Sequence, residues 1–176
     1  MASILNVDQI RNAAGTSSAT IQSDGTFYPT GGIVQVKQSV ITTTRQQLTG
    51  QTETAITGAT VTITPKSTSS KILFSSAIPS IAYNPNTIKL ALYRGSTEIS
   101  ALGHYADGNN WKPWTVAFQY LDSPSTTSAT TYSIKCQLEN GADVNGVYFN
   151  YSNGSAPAFS SNADSRGTVT VMEIAG

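Results

Sequence analysis

Apolar and polar residues alternate at period two along most of this chain, as they do in strands with one buried face. The clearest case is Trp114 to Leu138. Val116, Phe118 and Tyr120 alternate with Ala117 and Gln119; Tyr132, Ile134, Cys136 and Leu138 alternate with Ser133, Lys135 and Gln137. The connection between these runs is polar and holds Pro124, which cannot continue a central strand. The pattern predicts two long antiparallel strands in the middle of a β-sandwich.

Further runs follow the same rule from Ile33 onward. Val34, Val36 and Val40 share one face, with Gln35 and Lys37 on the other. Val61 and Ile63 sit between Thr60, Thr62 and Thr64, and Pro65 closes that run. Next come KILFSSAIPSIA at 71–82, then Ile88, Leu90 and Leu92 leading to the turn Arg94-Gly95-Ser96 and a short return strand at 97–100. VYFNYS at 147–152 and GTVTVMEI at 167–174 complete the set. About eight or nine strands with almost no helical period predict an all-β fold, an antiparallel, jelly-roll-like β-sandwich. Only Val7 to Ala14 offers a helical turn or two.

Residues 1–32 differ. Ile4, Leu5, Val7, Ile10, Ile21, Phe27 and Tyr28 are spread among polar residues, with too little apolar area for a core of their own. Such a segment is either disordered or folds against something else, and its regular apolar anchors argue for the second: its own domain, sister chains or another protein. Ser23-Asp24-Gly25 reads as a tight turn and Thr30-Gly31-Gly32 as a hinge. The chain therefore divides into an N-terminal anchoring segment, 1–32, and a β-sandwich knob, 33–176.

Composition narrows the function. The 176 residues suffice for one ordinary domain. Charged residues make up 11%, against about 25% in average proteins. Ten basic and ten acidic residues cancel. No basic cluster suits phosphates, which argues against nucleic acid, and a neutral surface does little to hold copies apart. Cys136 is the only cysteine; its place on an apolar strand face predicts a buried, inert thiol. The N-terminus lacks an apolar signal-peptide core, and no apolar run approaches ~18 residues, so no membrane insertion is expected.

Catalytic chemistry finds little footing. His104 is the only histidine, placed in a loop, Gly103-His104-Tyr105, near Asp107 but beside no nucleophile-elbow serine. No ligand set has zinc spacing, and Glu139, Asp143 and Asn145 lack the spacing of a calcium loop. No cofactor, metal or enzymatic activity is expected. A carboxylate pair such as Asp107 and Asp122 leaves a polysaccharide depolymerase as a remote alternative. Asn150-Tyr-Ser152 and Asn153-Gly-Ser155 match the glycosylation sequon and are discounted without a signal peptide.

The most informative loop is GHYADGNNWKPW at 103–114. Aromatic faces beside amides suit carbohydrate or protein contact, which makes Tyr105, Asn109, Asn110 and Trp111 candidate ligand contacts. The competing reading is that Trp114 begins a core strand and Trp111 folds back onto the sandwich. The 151–166 loop, with Tyr151 and Asn153, is a second candidate, and its Phe159 could equally fill a subunit interface.

MASILNVDQIR, TIQSDGTFYPTGGIVQV, ITPKSTSSKIL, LYRGSTEI, YLDSPSTTSATTYSI and SRGTVTVMEIAG resemble a family of tail-fibre-like virion appendage proteins of tailed phages of marine and freshwater bacteria, cyanophages prominent among them. The resemblance implies an N-terminal attachment or trimerisation region, with Ile4, Leu5, Val7, Ile10, Ile21 and Phe27 as its packing positions. It implies a C-terminal knob similar to the trimeric jelly rolls of the C1q and tumour-necrosis-factor kind. No catalytic residue belongs to the pattern. The expectation is a homotrimeric virion protein, assembled in the host cytoplasm, that contacts other tail, baseplate or capsid proteins and a host-surface glycan or protein. A capsid decoration or head-fibre protein that touches no host is the alternative.

Overall fold

A computed structural model of the chain describes residues 8–21, 23, 25, 27–41, 46–82, 86–106, 112–139, 146–150 and 166–176. Three short strands, β1 (Gln9–Arg11), β2 (Ser17–Ile21) and β3 (Phe27–Pro29), form a small antiparallel sheet. A six-stranded sheet runs β4 (Ile33–Val40), β13 (Thr168–Ile174), β7 (Lys71–Ala82), β12 (Val147–Phe149), β5 (Gln46–Leu48), with β10 (Lys112–Asp122) along the other side of β7. A four-stranded sheet is ordered β6 (Thr54–Ile63), β11 (Thr130–Leu138), β8 (Asn86–Arg94), β9 (Thr97–Ala106). Every described pairing is antiparallel, and the described residues hold no helix. The fold is an all-β sandwich of the jelly-roll-like kind.

The alternation read from the sequence places the core. Ile72, Phe74 and Ile78 of β7 and Tyr132, Ile134, Cys136 and Leu138 of β11 are buried in one cluster between the sheets. The Phe74 ring lies 6.2 Å from Tyr132 across the sheets and meets Phe118 edge-on at 6.5 Å.

The two clearest alternating runs, β10 and β11, do not pair with each other. β11 is central in the four-stranded sheet, whereas β10 is an edge strand of the six-stranded sheet and pairs, among the described residues, only with β7. The polar connection around Pro124 carries the chain from one sheet to the other. Alternation reports which face is buried, and it is the same for a hairpin and for a crossover.

Three local expectations are corrected. Gln9–Arg11, inside the proposed helical stretch, is strand. His104 and Tyr105, expected in a loop, belong to β9, because the hairpin from Gly95-Ser96 runs on to Ala106. Thr30-Gly31-Gly32 is a closed turn rather than a hinge: Gly32 N–H donates to Pro29 O at 3.1 Å and Gly31 has φ 70°.

β5 has no strong signal in the sequence. Its Gln46 is held by side-chain chemistry: Nε2 donates to Ala55 O at 2.9 Å and Oε1 accepts from Thr57 N at 2.6 Å. The amide thus acts as a partner strand for the irregular part of β6, where Gly58 takes φ 82°.

On the outer face of the six-stranded sheet, cross-strand partners line up in rows. Val36, Met172, Leu73 and Leu121 form one row across β4, β13, β7 and β10. Beside it run Gln38–Thr170–Ser75–Gln119 and Val40–Thr168–Ala77–Ala117. Val36 and Val40, on what apolar alternation would make an inner face, stand exposed. Gln35, on the opposite side, turns inward to Glu173, with Nε2 donating to Oε2 at 2.6 Å.

Glu173 is fully buried. Its Oε1 accepts from Lys66 N at 2.7 Å and from Ser70 Oγ at 2.6 Å. Ser70 Oγ in turn hydrogen-bonds the buried Tyr28 hydroxyl on β3, and Ala175 N donates to Gly32 O at 2.9 Å. The small N-terminal sheet is therefore fastened to the sandwich of its own chain by polar contacts.

Candidate functional site

The end of β9 and the start of β10 flank residues 107–111. His104 is half-buried, and its ring stacks on Trp114 with centroids 4.2 Å apart and planes 3° from parallel. Trp114 also meets the buried Phe149 edge-on at 6.3 Å, so it anchors the beginning of a core strand. Its Nε1 is buried and meets no hydrogen-bond partner among the described residues. Burial pushes the His104 pKa below its ordinary value.

Tyr105 points the other way. It is 60% exposed on the outer face of the four-stranded sheet, paired with Thr87 of β8. It does not share a surface with the His104–Trp114 stack, because neighbours on a strand face opposite sides. Asn109, Asn110, Trp111, Tyr151 and Asn153 lie outside the described residues, as do Asp107, Asp143, Asn145 and Phe159. Of the anchoring positions, Ile10 and Phe27 are exposed, Ile21 is half-buried, and Ile4, Leu5 and Val7 lie outside the described residues.

The face that carries Tyr105 also carries a charged ladder that sequence reasoning missed. Lys89 Nζ lies 2.8 Å from Glu98 and 3.5 Å from Glu53. Glu53 also accepts from the Tyr93 hydroxyl and lies 3.9 Å from Lys135, whose Nζ sits 3.6 Å above the Tyr93 ring. The bond to Glu53 pushes the Tyr93 phenol up to about 12, with burial adding to it. The bond to Glu98 raises the Lys89 pKa. Lys89, Tyr93 and Lys135 sit at polar positions of alternating strands, a visible signal, but the register that brings them to Glu53 is not.

Asp122 and Asn150 are both held by hydrogen bonds within the chain. Asp122 is buried; Arg94 Nη1 is 3.0 Å from each of its oxygens and Tyr132 donates to Oδ2 at 2.7 Å. Asn150 of the sequon is buried too. Its Oδ1 accepts from Gly167 N at 2.9 Å, Nδ2 donates to Ile41 O at 3.3 Å, and its backbone takes φ 51°. Glu173 continues the buried parity of Val169 and Val171, where a carboxylate requires partners. Cys136 is buried as expected, and burial, with the charge of Glu53 adding, pushes its thiol up to about 12.

Among the described residues no cluster of metal-ligating side chains occurs. No protein-family model matches the chain, and no curated protein matches it.

Proposed function

We propose that this chain is a structural protein of a tailed-phage particle, a short appendage anchored through residues 1–32 that presents its sandwich to the host surface. The reading starts from the sequence resemblance. The observation that carries its binding half is Tyr105, a large aromatic left 60% exposed on a strand, on the same face as the ladder of Lys89, Glu98 and Lys135. A rigid aromatic plane beside charged and hydroxyl groups suits a glycan or a polar protein surface. The homotrimer belongs to the same proposal, since several weak contacts gain by avidity.

The test is a particle that lacks the protein. The proposal expects reduced adsorption, and reduced adsorption again when Tyr105→Ala protein is incorporated. A stripped particle that assembles and adsorbs normally overturns it. Copy number separates the alternative: hundreds per particle indicate capsid decoration, a few dozen or fewer an appendage.

A further inference from the structure

The two outer faces of the sandwich are opposite in character. The four-stranded sheet shows water its charged ladder. The three rows of the six-stranded sheet contain no charge, and Lys71 lies at their border. Of the seven large apolar side chains left exposed among the described residues, Ile33, Val36, Val40 and Leu121 belong to this face. A contiguous apolar row flanked by uncharged polar groups marks an interaction surface, unlike scattered single residues.

We propose that copies of this chain associate through the outer face of the six-stranded sheet. The inference rests on the homo-oligomer in the reading above but not on any location in a virion. The choice of a second copy as occupant follows from complementarity. Gln38, Gln119, Thr170 and Ser75 each donate and accept, so the face satisfies its own polar groups when it meets itself. Its three rows offer a charged partner nothing to pair with, and the chain carries no net charge to oppose self-association.

Size is consistent. Four strands about 4.8 Å apart and seven residues long give a plane of roughly 450 Å². Side-chain relief enlarges that toward the ~800 Å² per partner of a standard interface. The β10 edge, which pairs with β7 alone among the described residues, points to a protein occupant as well. Phe118 N and the Val116 carbonyl turn toward β7 through Ser76, so alternate residues such as Ala117 turn their backbone groups outward. From Trp114 to Leu121 this edge has neither a charge nor a register shift, the devices by which an edge exposed to solvent is protected.

Light scattering and sedimentation of the full chain test the proposal, on wild type, Thr170→Glu, Gln119→Lys and Thr131→Lys. Thr131 is exposed on the opposite sheet and serves as the control. Circular dichroism verifies folding, and Gln119→Lys, a change at an exposed position, guards against misfolding of the central variant. The expected result is a wild-type oligomer whose dissociation constant rises at least ~10-fold in Thr170→Glu and Gln119→Lys, about 1.4 kcal/mol, and is unchanged in Thr131→Lys. A wild type that stays monomeric at roughly 100 μM, where micromolar association is populated, overturns the proposal. So does an oligomer indifferent to both face variants but lost in Ile10→Glu or Phe27→Glu, which would place assembly in the N-terminal sheet. Mass spectrometry of particles tests the virion reading separately: absence from particles would leave this interface standing.

Discussion

The Tyr132 hydroxyl, on the four-stranded sheet, donates a 2.7 Å hydrogen bond to Asp122 on the six-stranded sheet. Arg94, two thirds buried, completes the site from β8. A buried carboxylate needs such partners, because without them its desolvation is uncompensated. Burial, with the bond to Asp122 adding, raises the Tyr132 pKa strongly, so the phenol keeps its proton throughout the usable pH range.

Tyr132→Phe should therefore destabilise the fold by about 1–2 kcal/mol, the cost of leaving a buried acceptor short of a donor. Asp122→Ala should cost more, since it strands both the phenol and the guanidinium. Urea denaturation of the two variants checks this ranking; equal stability for both and wild type would contradict the clamp.

Asn150 ties the ends of two chain segments, Ile41 and Gly167, with one amide. Asn150→Ala leaves both backbone groups without that partner and keeps a positive φ that alanine disfavours. A loss of about 2–3 kcal/mol is expected. Asn150→Asp keeps the acceptor for Gly167 but sets an oxygen against the Ile41 carbonyl, so it should not rescue. Thermal melts of the pair give the answer.

Tyr28→Phe should loosen the N-terminal sheet without unfolding the sandwich. It removes the hydroxyl that meets Ser70, the neighbour of the buried Glu173. Hydrogen exchange should quicken across Gln9–Pro29 while β7 and β11 stay protected. Uniform exchange changes across the whole chain would mean the small sheet is no separate unit.

His104 sets a pH dependence of known sign. Burial lowers its folded pKa below the ordinary histidine value of about 6.5, so the unfolded chain binds the proton more readily. Its contribution to stability is complete above that unfolded value and is lost as pH falls through 6.5 toward the folded pKa. No other histidine exists to mask the slope. Denaturation at pH 7.5 and pH 5.5 should show lower stability at the acidic value, and His104→Phe should flatten the difference.

Cys136 reports on opening. Its thiol is buried and shifted to about 12, so native protein should alkylate at least ~10³-fold more slowly than denatured protein, the ratio set by the unfolding equilibrium. Labelling of the native chain at the free-thiol rate would show that β11 is not a core strand.

By itself the sequence determined the class of fold and the buried face of most strands. Val116 with Phe118, Ile88 with Leu90, and Ile134 with Cys136 follow from parity alone, because hydrophobic burial acts residue by residue along a strand. What only the tertiary structure decided is pairing: that β10 and β11 lie in different sheets, that Glu53 gathers Lys89, Tyr93 and Lys135, and that Val36, Met172, Leu73 and Leu121 fall in one row. Those facts depend on which strands are neighbours and in what register. Hydrogen-bonded ladders are nearly indifferent to side-chain identity, so period-two alternation is compatible with many registers. The choice among them is made by the packing of the whole core at once.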